Sequence, residues 1–302
     1  MSAPVFQHAI LIGKPEAAGV GRTLEEIASW LAASGVEPLI ELETAQRCEL
    51  PGHRAVALRD IGHDEARSLV GIVVGGDGTM LGAARQLSPS GVPLMGINAG
   101  RLGFITDIVE ARWREALGAM LQGHFEREQR AVLAGRVQRD GETIFTGIAI
   151  NDIVVNRSGA TGLVELRVDV DGCAMYAQRA DGLIVATPTG STAYALSGGG
   201  SILHPSVDAV ILVPICPHAL GDRPIVVKGD SKIEIMINDT HGGSAQVSSD
   251  GQHTQLLTAN DRVQVQRSAT SVTLIHPHGH DYYRILRTKL HWGRPPHHAG
   301  KD

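Results

Sequence analysis

Residues Gly71 to Gly82 read GIVVGGDGTMLG, and the fold class follows from the order of those residues. Ile72, Val73 and Val74 form a short apolar, β-branched run suited to a buried strand. Gly75, Gly76 and Gly78 follow around Asp77, and from Thr79 the run Thr79-Met80-Leu81-Gly82-Ala83-Ala84-Arg85 reads as the start of a helix. A strand, a glycine turn and a helix together present backbone N–H groups and a positive helix end to a phosphate. Glycine suits such a turn because it lacks a Cβ that would block close approach, and because it accepts positive φ.

Asp77 is the odd member. A carboxylate among phosphate-cradling amides repels its own ligand, by roughly 4 kcal/mol per charge pair at ~4 Å and an effective dielectric of ~20. The position makes chemical sense if Asp77 takes a proton from an attacking hydroxyl, or faces a divalent ion carried by the phosphates. The loop therefore points to phosphoryl transfer more than to passive nucleotide binding. The alternative is a plain strand-to-helix turn in which Asp77 is the N-cap.

Working outward, strand and helix patterns alternate through the first part of the chain. Residues 5–12 read as a strand ending at Gly13-Lys14-Pro15, and Thr23-Leu24-Glu25-Glu26 matches a capping box at the head of a helix. Glu37–Leu42 and Val92–Ile97 are further strands, and residues 110–122 are helical. The polar segment 43–68 has no clear period. Such alternation indicates a parallel sheet covered by helices, with ligands bound beyond the carboxyl ends of the strands. The loops after Val74 and after Ile97 both lie there.

Near Gly123-His124 the pattern changes. Strand-like runs at 127–138, 142–150, 153–156, 163–170 and 173–178 continue at 209–213, 224–228, 231–238, 244–248, 262–267 and 272–276. The expected fold class is thus a Rossmann-like α/β domain with a parallel sheet, followed by an all-β sandwich domain. The boundaries expected are 1–124 for the α/β nucleotide-binding domain and 125–279 for the sandwich. A helix at about 280–292 would pack back on the first domain, and 293–302 would be a disordered tail.

Composition narrows the function. The chain has 302 residues and a formal net charge of −5, with no basic stripe to neutralise a nucleic-acid backbone. No apolar run approaches the ~20 residues that span a bilayer, and the N-terminus lacks the pattern of a signal peptide. Cys48, Cys173 and Cys216 are isolated, which suits a reducing cytoplasm better than a disulfide framework. Neither a nucleic-acid nor a membrane partner is expected. His276, His278 and His280 alternate in HPHGH, but Pro277 and Gly279 break strand geometry and no partner cluster is evident in the sequence, so no metal site is assigned there.

A second cluster, Ala180 to Ser201, reads ADGLIVATPTGSTAYALSGGGS. After the apolar strand Leu183–Ala186, Thr187, Thr189, Ser191, Thr192 and Ser197 surround one aromatic, Tyr194. Hydroxyls and exposed amides suit a ribose and phosphate, and an aromatic face suits a base. The alternative is a polar loop whose Ser and Thr make local turns. Asn151-Asp152, at the head of a strand, suits a purine edge and a ribose hydroxyl, or is a simple turn pair.

Taken together, GGDGT (75–79), GINAGRLGF (96–104), Asn151-Asp152, RADGLIVATPTGSTAYALSGGG (179–200), LVPICPHALGDRPIVV (212–227) and SDGQ (249–252) resemble the NAD kinase family, closest to its bacterial branch. The resemblance implies phosphorylation of the 2′-hydroxyl on the adenosine ribose of NAD, giving NADP, with ATP or polyphosphate as donor. It also implies a divalent cation, Mg²⁺ above others, carried by the ATP phosphates, and a homo-oligomer (dimer or tetramer). Gly75, Gly76, Gly78 and Thr79 would form the phosphate loop. Asp77 would be the base and, with Gly78, a nucleotide contact. Asn151 and Asp152 would hold the ribose and nicotinamide portions. Arg179 and Asp181 would lie near the nicotinamide end, across a subunit boundary. Thr189, Thr192, Ala193, Tyr194 and Ser197 would line the adenosine part, and Gln252 would be a further contact. Position 152 is Asp where many relatives have Glu, and Gly162 stands where some have a polar residue. GGDGT alone also fits a lipid or sugar kinase, and a non-catalytic NAD(P) sensor is the alternative outside enzymes.

Overall fold

In the parallel sheet at the start of the chain, every position of the central strand Leu69–Gly75 is buried, as expected where helices cover both faces. The computed structural model describes residues 4–14, 19–50, 52–100, 103–159, 162–219 and 221–292. The expectations for Pro15, for Arg101-Leu102 and for the tail from 293 lie outside the described residues. By its internal contacts the chain forms two units, Met1–Gln129 with Val272–Asp302, and Arg130–Ser271.

The first unit contains β1 (His8–Gly13), α1 (Val20–Ala33), β2 (Glu37–Glu41), α2 (Leu42–Arg47), β3 (Arg54–Val56), α3 (His63–Ala66), β4 (Leu69–Gly75), α4 (Asp77–Leu87), β5 (Leu94–Asn98), β6 (Ile108–Val109) and α5 (Trp113–Leu121). The strands are parallel in the order β3-β2-β1-β4-β5, with β6 beside the end of β5. Leu11, Leu24, Ile27, Ile72, Val74, Ile97 and Leu117 share one core.

Helix α1 starts at Val20, behind Gly19 with φ +87, so the capping box expected at Thr23 is corrected. Thr23 lies inside the first turn, and its hydroxyl donates to Glu110 Oε1 at 2.6 Å. Burial decides the start: Val20 and Leu24 are both in the core, so the apolar face begins a turn earlier. The unplaced segment 43–68 consists of α2, β3, a 3₁₀ turn at Leu58–Asp60 and α3, each too short to show a period. Glu41 caps α2, its carboxylate accepting from the N–H groups of Glu43 and Thr44.

The second unit is antiparallel. The strand β7 (Phe125–Arg139) carries the chain into it, and β8 (Glu142–Ala149), β9 (Asp152–Arg157), β10 (Val164–Val170), β11 (Cys173–Ala180) and β12 (Gly182–Ala186) follow. After α6 (Tyr194–Ser197) come β13 (Ala209–Ile215), β14 (Ile225–Lys228), β15 (Ile233–Asp239), β16 (Ala245–Ser249), β17 (His253–Leu257) and β18 (Arg262–Pro277). One sheet runs β14-β13-β12-β9-β16-β17, and the other β11-β10-β15-β18-β7-β8. Leu133, Val155, Leu166, Leu183, Leu212, Ile235, Val247 and Val263, drawn from both sheets, make one core, which is a sandwich.

Two expectations change here. β17 gave no strand signal, because its residues are mostly exposed. The separate strands at 262–267 and 272–276 are one continuous strand, since Ser268-Ala269-Thr270-Ser271 contains no breaker. Its final part returns to the first unit, where Leu274 lies opposite Leu94 of β5 in parallel register. The chain then forms α7 (Tyr282–Leu290), capped by Asp281, whose side chain accepts from the Arg284 N–H. No helix of the described residues is long and apolar enough to cross a membrane.

Ile72 is fully buried at the centre of the parallel sheet. Ile72→Ala is expected to cost about 2–5 kcal/mol, read as a lower urea midpoint for the α/β unit with its secondary structure retained.

Candidate functional site

Strand β4 ends at Gly75, Gly76 is extended at φ −103 and ψ −175, and α4 begins at Asp77. None of Gly75, Gly76 and Gly78 has positive φ, so the conformational reason expected for these glycines is corrected. The steric reason survives: a Cβ at Gly76 or Gly78 would meet nothing within 4 Å, leaving open space before the helix start. A Cβ at Gly75 would come within 2.7 Å of Thr79 Oγ1, so that glycine seats the Thr79 side chain.

Asp77 does not cap its own helix; Gly76 occupies the N-cap position. The carboxylate reaches across to the loop after β5. Oδ2 accepts from the Phe104 N–H at 2.8 Å, and Oδ1 accepts from the Ile105 N–H and the Thr106 hydroxyl, each at 3.1 Å. Three donors and a helix N-terminus give the charge a favourable seat. Asn98, buried at the end of β5, donates from Nδ2 to Thr106 Oγ1 at 3.1 Å and accepts from the Gly100 N–H at 2.8 Å. A Cβ on Gly103 would overlap both Asp77 Oδ1 and Thr106 Oγ1. Asn98, Gly103 and Thr106 thus fix the direction of Asp77. The sequence offered one signal for them, a strand end followed by Asn-Ala-Gly at the sheet edge already marked by the glycine turn.

In the second unit, one end of the six-stranded sheet gathers Asn151, Asp152 and the loop Thr187–Thr192. Asp152 pairs with Ala186, the last residue of β12. The Asn151 carbonyl accepts from the Thr187 N–H at 2.9 Å, and a Cβ on Gly190 would overlap that carbonyl. Thr187 donates its hydroxyl to the Ile150 carbonyl at 2.6 Å, Ser191 to Pro188 at 2.6 Å, and Thr192 to Thr189 at 3.1 Å. Those of Ser191 and Thr192 hold the turn itself, in the manner of the local-turn alternative. Thr189 is different, since its hydroxyl accepts from the buried guanidinium of Arg130 at 3.2 Å. Tyr194 is 45 % exposed and Ser197 is exposed, so both present themselves to solvent beside Ala193.

Asp250 was missed by the sequence reading, although its Asp-Gly turn is the usual mark of a hairpin. It sits at φ +47 in the β16–β17 turn and accepts from the N–H groups of Ile150, Asn151 and Asp152 at 3.2, 2.8 and 3.3 Å. Asp152 itself is 5 % exposed. Burial, and then the neighbouring charge of Asp250, push its carboxyl up to about 7. Gln252 follows in the same turn, its side chain exposed and its N–H donated to Ser249.

Arg179 and Asp181 stand apart from this group. Gly182 pairs with Asn156, at the opposite end of the ladder that begins with Asp152 and Ala186, a separation of roughly 13 Å at ~3.3 Å per residue. Arg179 pairs with Glu165 at 2.9 Å, and Asp181 with Arg157 at 2.8 Å. Within one chain the structure therefore does not bring these two together with Asn151 and Asp152.

One chain thus carries an α/β unit with an oriented acid at a glycine turn and an antiparallel sandwich. The family model for the ATP-NAD kinase N-terminal domain matches residues 9–125, and that for the C-terminal domain matches 150–277. The chain belongs to the NAD kinase family. It is 50 % identical over 288 residues to the NAD kinase of Burkholderia multivorans, covering 95 % of this chain and 94 % of that one. It is 50 % identical over 293 residues to the NAD kinase of Paraburkholderia phymatum, covering 97 % and 96 %. A yeast NADH kinase solved with NADH shares the fold, with a TM-score of 0.86 and 24 % identity over 97 % of this chain and 90 % of that one. An Archaeoglobus fulgidus NAD kinase solved with ATP has a TM-score of 0.71 and 25 % identity, over 94 % and 98 %.

The raised pKa of Asp152 has a stability consequence with a definite sign. With its pKa at about 7 against an ordinary 3.8, the folded chain keeps a proton that the unfolded chain has lost, so the contribution present at low pH is lost as pH rises through 7. Asp152→Asn should therefore gain stability relative to the parent as pH rises from about 4 to about 7, by on the order of 4 kcal/mol. Urea denaturation at a series of pH values checks this; a flat or opposite difference would contradict it.

Proposed function

We propose that the chain transfers the terminal phosphoryl group of ATP, or of polyphosphate, to the 2′-hydroxyl of the adenosine ribose of NAD, giving NADP. Membership of the NAD kinase family makes it a phosphotransferase, which sets aside the lipid and sugar kinase alternatives raised by the glycine turn. One observation carries the mechanistic reading: Asp77 is aimed by three donors, yet Oδ2 accepts only one of them and so keeps lone-pair capacity for an incoming proton. A sensor that binds without turnover has no use for such a residue.

In this reading the donor phosphates lie on the open side of Gly76 and Gly78, near the N–H groups of the first turn of α4, with Gly75 and Thr79 shaping the loop. Asp77 receives the proton as the ribose hydroxyl attacks, and orientation supplies much of the rate. Asn151 and Asp152 hold the ribose and nicotinamide portions. Thr189, Thr192, Ala193, Tyr194 and Ser197 line the adenosine, and Gln252 adds a contact. Arg179 and Asp181, at the far end of the ladder, serve the nicotinamide end from a neighbouring copy, so the protein works as a homo-oligomer.

A carboxylate beside open backbone fits a hard cation that keeps its waters and phosphate ligands, such as Mg²⁺ arriving with ATP. When bound, that ion neutralises phosphate oxygens. The expected domain roles are nucleotide binding by residues 1–124 with the terminal helix, and NAD binding by 125–279. The expected compartment is the cytoplasm.

The reading is tested by crossing NAD or NADH with ATP or polyphosphate and detecting phosphorylated product by mass. Asp77→Asn is expected to keep NAD binding while turnover falls by roughly two orders of magnitude or more. Near-normal turnover in that variant would remove Asp77 from the chemistry.

A further inference from the structure

Asp107, His276 and His280 come together in the first unit from three places in the chain: the residue before β6, the end of β18, and the turn into α7. Each offers one ligand atom, and these atoms all lie within 4.8 Å of one another. Gly279, at φ +82, makes the turn that brings His280 back toward His276. The two rings stack with centroids 3.9 Å apart. Their Nδ1 atoms stand 3.0 and 2.8 Å from the same oxygen, Asp107 Oδ2. Ligands at about 2.0–2.1 Å around a tetrahedral ion are separated by about 3.3 Å, so small displacements convert this cluster into a coordination shell.

Two further observations ask for an occupant. Asp107 Oδ1 is buried and has no hydrogen-bond partner, a costly state for a polar atom. The side chains of His276, Asp107 and His280 are only 2, 9 and 11 % exposed. A cavity of about 490 Å³ lined by Asp107, Pro277, His278, His280, Arg284 and Thr288 opens beside them and supplies an entry path. Glu128 of β7 faces the other nitrogen of His276 at 3.2 Å.

We infer that Asp107, His276 and His280 bind one divalent transition-metal ion of the zinc class, with Glu128 orienting His276. Two imidazoles and a carboxylate favour such an ion over Mg²⁺ or Ca²⁺, which take oxygen ligands. The ion ties the end of β18 and the head of α7 to the segment before β6. The HPHGH stretch lacked a partner in the sequence because Asp107 lies 169 residues from His276.

The test uses the full chain, stripped with a chelator and titrated with zinc chloride alone by calorimetry, with cobalt chloride as a spectroscopic probe. One zinc per chain is expected, together with the intense visible absorption of a tetrahedral cobalt site. His280→Gln and Asp107→Asn are each expected to weaken zinc binding by ~100-fold, while His297→Ala with His298→Ala leaves it unchanged. The cobalt spectrum of the unmutated chain does not depend on any variant folding. Absence of zinc binding and of that spectrum, or binding that survives His280→Gln but is lost with the two tail histidines, would overturn the assignment.

Discussion

The glycine turn of the first unit is organised by three hydrogen bonds, the grip of Phe104, Ile105 and Thr106 on the carboxylate of Asp77. A charged group at the head of a helix is stabilised by the backbone dipole, but that alone leaves its side chain free to rotate. Three donors from a neighbouring loop remove that freedom. The loop in turn is shaped by Asn98 at the end of β5 and by the absence of a side chain at Gly103. Adjacent parallel strands, β4 and β5, thus supply the acid and its holder, and their hydrogen-bonded register fixes the two against each other.

The second unit solves a related problem with the opposite charge balance. Asp250 is surrounded by three backbone donors, whereas Asp152 has burial and a like charge for company. The pair gives one carboxylate that is well compensated and one whose proton is held to near neutrality. Arg130 places a cation behind Thr189. That sheet end therefore carries both charge signs close to backbone that is tightly stitched by Thr187, Ser191 and Gly190.

What was legible in the sequence was whatever rests on local chemistry. The strand through Ile72, Val73 and Val74, the glycine turn and the helix after it all follow from neighbouring residues. The sandwich was legible for the same reason, since its inward residues alternate along each strand. Misreadings came where distant residues decide. Thr23 looks like a cap until Val20 is seen to be in the core. Asp77 looks like the odd member of its turn until residues 104–106 arrive from the next loop. The hydroxyls of Ser191 and Thr192 bond within their own turn, the local alternative, while that of Thr187 reaches a distant strand end, at Ile150.

The second unit is an uninterrupted stretch, Arg130–Ser271, inserted into the first. The part of β18 that pairs with β5 therefore comes from the far side of the insert. Leu274 then has to find Leu94 across a separation of 180 positions, a long loop whose closure is slow unless the inserted sandwich has already folded and drawn its two ends together. The pairing of β18 with β5 is thus the most sequence-distant strand contact among the described residues of the first unit, and its closure depends on the length of the insert between them.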